Sequence, residues 1–351
     1  MRVLITGHNG YIGSILSGVL QEAGFEVHGL DSYLFSNCTF GPDVPDIPAI
    51  QKDVRDVEAA DLEGYDAICH LAGISNDPVG DLNASVTYEI NHLASTRLAA
   101  LAKEVGVSRF VFSSSCSIYG ASPGGVVDEE SPINPVTAYG WSKIKVEDDL
   151  RSLADDRFSP VFLRNATAYG ASPRLRADLV INNLVGYAVL QGTVLMKSDG
   201  TPWRPLIHIE DISRAFAAAL SAPRDRVHNQ VFNVAVPGQN YQIRQLAEIV
   251  EGTVDGAEIR LADKAGPDIR DYRVDAGKIS ELLPEFEPVW TVEDGVAEVY
   301  KAFVDYGTEE GDFLGKLLRI RSLQAAQAEG WVSQDLRILD DRSSSARTAT
   351  A

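Results

Sequence analysis

Cysteine is scarce in this chain of 351 residues: there are three, Cys38, Cys69 and Cys116, an odd number with no C-x-x-C pair. That pattern indicates neither a disulfide framework nor a structural zinc site, and it suits a reducing compartment. Basic residues are also few, 31 against 50 acidic ones, for a formal net charge of −19. A field of that sign disfavours broad nucleic-acid binding and attachment to anionic membranes. No apolar run reaches membrane-spanning length, and the opening MRVLITGHNGYIGS lacks the charged start, long apolar stretch and cleavage site of a secretory signal. The six histidines show no short ligand spacing such as H-E-x-x-H, so no metal site is expected. A soluble, cytoplasmic protein is expected, with no nucleic-acid or membrane partner. Residues 343–351, SSSARTATA, are too small and polar to bury a surface and are expected as a disordered tail.

The remaining composition, 45% hydrophobic and 23% charged, is that of an ordinary globular protein, and the length suggests about two domains. Short runs rich in Val, Ile and Phe at 3–6, 26–31, 67–72, 109–115 and 231–236 predict strands. Amphipathic stretches at 14–23, 86–105, 179–190, 210–220, 292–307 and 313–331 predict helices. Strand and helix in alternation imply an α/β fold, a doubly wound parallel sheet of Rossmann type. We expect a dinucleotide-binding domain over 1–167 with returns near 205–235. A smaller mixed α/β domain for substrate is expected from 168–204 and 236–342, including an extra C-terminal helix.

Gly7, Gly10 and Gly13 directly follow the first apolar strand and open a helix. In that setting the first glycine permits a tight turn, the second lets backbone amides approach a pyrophosphate, and the third allows close packing of helix on strand. The helix N-terminus adds partial positive charge for the phosphates. Asp31 ends the second strand, where its carboxylate suits the adenosine ribose hydroxyls and repels a 2′-phosphate, favouring NAD over NADP. The bland readings are a ligand-free glycine turn and a solvated strand-end aspartate.

Farther along, SSSCSIYG at 113–120 precedes YGWSK at 139–143. Tyr139 and Lys143 stand four residues apart, so they share a helix face, and the ammonium favours the phenolate. A tyrosinate near neutral pH is a general base for an alcohol. Ser115, at a strand end, can donate to the same oxygen. A lone Y-x-x-x-K is usually a surface coincidence, but behind a dinucleotide turn the set points to one reaction centre.

These residues resemble the extended short-chain dehydrogenase/reductase superfamily, and within it the nucleotide-sugar epimerase/dehydratase group typified by UDP-glucose 4-epimerase. The resemblance runs to about Trp290 and rests on TGHNGYIGS, Asp31, KDVRD, HLAG, the Asn91 helix, SSSCSIYG, YGWSK, INNL and WRPLIHIED. It implies that Tyr11 and Ile12 join the phosphate loop, that Asp53 and Val54 flank the adenine, and that Leu71, Ala72 and Gly73 line the cofactor. Asn91 is implied to support the cofactor pocket and Lys143 to bond the nicotinamide ribose. On the substrate side it implies Asn183 and Arg204 at the diphosphate, with Arg270 or Arg273 as a further clamp. Guanidinium forks suit phosphate oxygens. Ser115, Ser117, Tyr139 and Thr167 are implied to face the sugar.

The departures narrow the chemistry. The 4,6-dehydratases of this group carry an Asp-Glu pair directly after the catalytic hydroxyl, where this chain has Cys116 and Ser117. Cys116 reads better as a packed small residue than as an acid. Thr167 stands where the 4-epimerases carry a substrate asparagine. His208 is expected to be structural, and the run Asp128 to Glu130 to be a solvated loop. The reading that results is an NAD-dependent epimerase of a nucleotide-diphosphate sugar, working by transient oxidation at C4. A dehydrogenase or 4-ketoreductase with net redox is the alternative, and a non-catalytic dinucleotide-binding regulator is a remoter one. The helices from about Val86 and about Tyr139 resemble those that pair across a twofold in the superfamily, so a homodimer is expected.

Overall fold

The computed structural model describes residues 1–75, 77–266 and 270–339. The tail expected at 343–351 lies outside the described residues. Fourteen strands occur in chain order among them: β1 (Arg2–Thr6), β2 (Glu26–Asp31), β3 (Ala49–Gln51), β4 (Ala67–His70), β5 (Arg109–Ser115), β6 (Ala121–Val127), β7 (Ser159–Asn165), β8 (Thr167–Tyr169), β9 (Thr193–Ser198), β10 (Trp203–His208), β11 (Gln230–Val234), β12 (Asn240–Gln242), β13 (Glu258–Gly266) and β14 (Asp271–Val274). Seven of them form one parallel sheet in the order β11-β7-β5-β4-β1-β2-β3. The strand order reverses direction between β1 and β4, which opens a crevice at the carboxyl ends of those strands.

The alternation of side chains along β1 shows how the sheet is covered on both faces. Val3 and Ile5 point into one apolar cluster with Leu16, Leu20, Phe216 and Ala219, from helices Gly13–Glu22 and Ile209–Ser221. Leu4 points into another with Leu98, Val146 and Leu150, from helices Ala94–Glu104 and Ala138–Leu153. A third cluster joins helices Val180–Gln191, Ile243–Thr253 and Val292–Asp305 around Leu184, Val250 and Val299.

Three expectations are corrected. The return to the large sheet begins only after His208, because β10 pairs in parallel with β8 and antiparallel with β12 in a separate sheet. The helix expected over 86–105 is interrupted by a π-helical turn, Glu89–Leu93, which widens the backbone at Asn91. The segment expected as one helix over 313–331 is two, Glu310–Leu314 and Arg319–Ala328. They diverge at Gly315, which allows Phe313 and Leu317 to enter the third cluster while Leu323 and Ala326 enter the second.

Candidate active site

A cavity of about 800 Å³ opens at the carboxyl ends of β1, β4 and β5 and extends to β9 and β10. Its floor is the glycine turn. Gly7 holds φ +79°, a conformation L side chains rarely adopt, and a Cβ there would lie 2.8 Å from the Ala72 nitrogen. A Cβ on Gly13 would lie 2.1 Å from the Gly7 oxygen. Only glycine permits this approach of helix to strand, so the turn is a cradle of bare backbone, the form that fits a pyrophosphate. Tyr11 is buried behind it, donating its hydroxyl to the Gly170 carbonyl (2.8 Å) and accepting from Asn182 (3.1 Å).

Asp31 lines the cavity with one carboxylate oxygen accepting from the Asn9 amide (3.0 Å) and the other from the Tyr33 amide (2.7 Å). Burial pushes this carboxyl up and the neighbouring His8 ring down. Asp53 and Val54 lie on the wall beyond; Arg55 fixes Asp53 through Nε to Oδ1 (3.0 Å) and Nη2 to Oδ2 (2.7 Å), which holds the carboxyl below its ordinary value despite burial. Leu71, Ala72 and Gly73 form the opposite wall. Asn91 does not line the cavity. From the π turn it clamps the wall from behind, accepting from the Ile74 amide (2.7 Å) and donating to the Ile74 carbonyl (2.9 Å) and to Ser142 Oγ (3.2 Å).

Thr137 caps the helix Ala138–Leu153, accepting from the Gly140 amide at 3.1 Å, and this helix brings Tyr139 and Lys143 to the cavity. The Lys143 ammonium donates to the Ser113 carbonyl (2.7 Å) and lies 5.5 Å from the centre of the Tyr139 ring. Burial pushes Lys143 down to about 7, opposed by the Glu147 carboxylate one turn farther on. Glu147 belongs to the same face at i, i+4, i+8 and was missed in the sequence; that continuation of the Tyr139–Lys143 spacing was the available signal. Its carboxylate accepts from Ser114 Oγ (2.5 Å) and pairs with buried Arg164 (2.7 Å), tying the helix to β5 and β7.

Ser115 lines the cavity and accepts from the Ser117 amide (3.1 Å), which leaves its hydroxyl proton available to donate. Ser117 Oγ is buried on the same wall, with no hydrogen-bond partner among the described residues. An unmade hydrogen bond of this kind costs about 1–3 kcal/mol, so a hydroxylated ligand suits the position. Cys116 points away from the cavity; its thiol donates to the Arg164 carbonyl (3.0 Å), and burial pushes it up. It is a packed residue.

The other end of the cavity carries Thr167, Asn183, Arg204 and Arg270. Arg204 is 6% exposed and donates to the carbonyls of Trp203 (2.7 Å) and Arg270. Asn183 donates to the Ala177 carbonyl (2.6 Å) and accepts from Lys197 (3.1 Å), a cation the sequence reading did not single out. Arg273 does not line the cavity; its guanidinium lies 5.1 Å over the Trp203 ring, which leaves Arg270 as the clamp candidate. Also missed were Arg176 and Asp178, which pair at 2.6 Å on the cavity wall.

Two bystanders are placed. His208 is 2% exposed, stacked on Trp290 with centroids 3.9 Å apart, and bonded to Glu298 at 2.9 Å. The run Asp128 to Glu130 is not wholly solvated: Glu129 is half-buried and accepts from the Asn233 amide (2.7 Å), because β6 carries it back toward β11.

The family model described as "NAD dependent epimerase/dehydratase family" matches residues 3–235. Among curated relatives, a UDP-glucose 4-epimerase of Bacillus subtilis is 29% identical over 329 residues, 85% of this chain and 94% of its own. Among solved structures, MoeE5 in complex with UDP-glucose and NAD superposes with a TM-score of 0.76 at 26% identity, covering 88% of this chain and all of its own. The DesIV dTDP-glucose 4,6-dehydratase of Streptomyces venezuelae, solved with NAD, has a TM-score of 0.76 at 26% identity over 89% of this chain and all of its own.

Proposed function

The chain belongs to the NAD dependent epimerase/dehydratase family, and on that premise we propose that it is an NAD-dependent 4-epimerase of a nucleotide-diphosphate sugar. NAD fits the cradle of bare backbone at Gly7, Gly10 and Gly13, with Asp31 at the adenosine ribose, Asp53 and Val54 at the adenine and Lys143 at the nicotinamide ribose. Asp31, anchored by two amides, repels a 2′-phosphate and supports NAD over NADP. When bound, NAD supplies the hydride acceptor and donor of the reaction.

The protein's part is orientation and proton control. Tyr139 takes the proton of the C4 hydroxyl, Ser115 donates to the same oxygen, and the Lys143 ammonium steadies the phenolate. Arg204, Arg270, Asn183 and Lys197 hold the diphosphate while the 4-keto sugar turns over to present its other face. The observation that carries epimerisation over elimination is the pair after Ser115: Cys116 is turned into the core and Ser117 is a hydroxyl, so neither supplies the acid and base that loss of water needs.

The dimer is part of this proposal. Leu93 (60% exposed) and Trp141 (46% exposed) stand on the π turn and the Ala138–Leu153 helix, the elements expected to pair. Among the described residues no helix is long and apolar enough to cross a membrane, and all three cysteines are free and buried, which supports a reducing cytoplasm.

Incubation of the purified protein with a panel of UDP- and dTDP-hexoses, without added NAD, is expected to yield C4 epimers by NMR. Stoichiometric NADH with no epimer overturns the proposal in favour of a net dehydrogenase.

A further inference from the structure

The C-terminal segment, beyond the residues that the family model matches, reaches back to the opposite end of the cavity from the proposed sugar. After the Arg319–Ala328 helix the chain forms a small hairpin: Val332 bridges Ile338, the Ser333 amide donates to the Arg337 carbonyl (2.8 Å), and the Leu339 amide donates to the Trp331 carbonyl (2.9 Å). At its tip Leu336 adopts φ +60°, which turns the side chain inward; it is 9% exposed, lines the cavity, and packs in one cluster with Leu34, Val54 and Val57. A left-handed leucine is a strained choice, tolerated only where the surroundings fix it.

The fixing is electrostatic and specific. Arg55, while gripping Asp53, also donates to the carbonyls of Asp335 (2.8 Å) and Leu336 (3.4 Å). Arg337 pairs with Asp56 and approaches Asp53 at 3.9 Å. One arginine from the adenine wall and one from the hairpin thus join the hairpin to that wall.

A second contact comes from the start of the same segment. Arg319 lines the cavity at 4% exposure, its guanidinium 4.6 Å over the Phe35 ring, donating to the Arg174 carbonyl (2.9 Å) and the Phe35 carbonyl (3.4 Å). Arg174 in turn donates from Nε to Asn9 Oδ1 (3.0 Å) in the glycine turn. Among the described residues the oxygens that accept from the two guanidiniums are neutral; burial, and after it a neighbouring arginine, pushes each down, against the pull of Cys38 on both, of Asp31 and Asp43 on Arg174 and of Asp178 on Arg319. Two adjoining buried positive charges beside a cradle of backbone amides call for an anion.

We propose that residues 319–339 form a clasp over the adenosine-diphosphate half of the dinucleotide, in which Leu336 closes the adenine pocket and Arg319 provides charge for the pyrophosphate. Both are cofactor-binding residues supplied from outside the matched region, and the clasp must open for the cofactor to leave. The proposal rests on the reading of this cavity as a dinucleotide site. It gives an epimerase what its cycle requires, a cofactor that stays through many turnovers.

The test uses the full chain as wild type, Leu336→Gly, which keeps the left-handed turn and removes the side chain, Arg319→Gln, and Arg337→Glu, a change at a half-buried position that repels Asp56. Dissociation of NAD is followed by displacement with excess ADP-ribose, and UDP affinity is measured alongside by calorimetry. Each variant is expected to release NAD about tenfold faster or more, with UDP affinity within about twofold of wild type. NAD release unchanged in all three overturns the clasp, as does an equal loss of UDP affinity, which marks general loosening. If Arg319→Gln or Leu336→Gly fails to fold, Arg337→Glu carries the same two outcomes. A wild type that binds neither NAD nor ADP-ribose overturns the dinucleotide reading itself, a result distinct from tight wild-type binding with indifferent variants.

Discussion

The two halves of the cavity are built differently. The cofactor half takes its cradle from one stretch of seven residues, Gly7 to Gly13, and its walls from the ends of neighbouring parallel strands. The half proposed for the sugar nucleotide is assembled from Thr167 on β8, Asn183 on a helix, Lys197 on β9, Arg204 on β10 and Arg270 just before β14. Its cations are already engaged by protein oxygens: Arg204 by two carbonyls and Lys197 by Asn183. The first half presents backbone shape, and at Gly7 and Gly13 it has no room for a side chain. The second presents pre-oriented charge, which on the proposed reading leaves single residues exchangeable at moderate cost and the choice of sugar open to variation.

Substitutions can break that contrast in order of expected effect. Tyr139→Phe, at the seam of the two halves, is expected to lower kcat by about a thousandfold while NAD and UDP affinities stay within about twofold. Unchanged turnover would overturn every catalytic role assigned to this site. Arg204→Met should weaken UDP binding by about 10- to 100-fold and leave NAD binding unmoved, as calorimetry with each ligand would show. An equal loss of both would mean that the halves are one mechanical unit.

Lys143 offers a pH readout of how dry the seam is. Its folded pKa, near 7, lies below the ordinary 10.5, so between those values the unfolded chain holds the extra proton and stability rises with pH. The stability difference between Lys143→Met and wild type, from urea unfolding without ligands, is therefore expected to be most favourable to the variant at pH 6–7 and to shrink toward pH 9. A difference independent of pH would show that the ammonium is solvated. Smallest is Ser117→Ala. Removal of an unpaired buried hydroxyl should stabilise the ligand-free protein by about 1 kcal/mol in thermal unfolding and raise KM for the sugar nucleotide.

The same contrast explains what could be read in the linear chain. The glycine turn and the Tyr139–Lys143 pair are local patterns whose geometry follows from strand, turn and helix, and the structure brings them together at one cavity. Glu147 lay in plain view one helical turn on, unread because its partner Arg164 comes from another strand. Arg273 and Asn91 show the converse: one rests on Trp203 and the other works from behind the wall, since β14 and the π turn aim them there. The C-terminal helix was expected in one piece because its apolar residues continue at helical spacing; Gly315 divides it so that the two parts serve different clusters.

The stretch 160–275 holds 13 basic and 13 acidic residues, a neutral interval in a chain of net charge −19, and the cations proposed for the sugar diphosphate lie within it. The sequence by itself determined the fold class, the cradle and the Tyr139–Lys143 pair proposed for the reaction, because the strand and helix periods, the glycine turn and the i, i+4 spacing are set by local rules of backbone geometry. Only the tertiary structure decided which arginines face the cavity and that the hairpin of the C-terminal segment lies at Asp53. Those outcomes depend on which distant elements pack together and on which carbonyls and carboxylates they bring within reach of each charge.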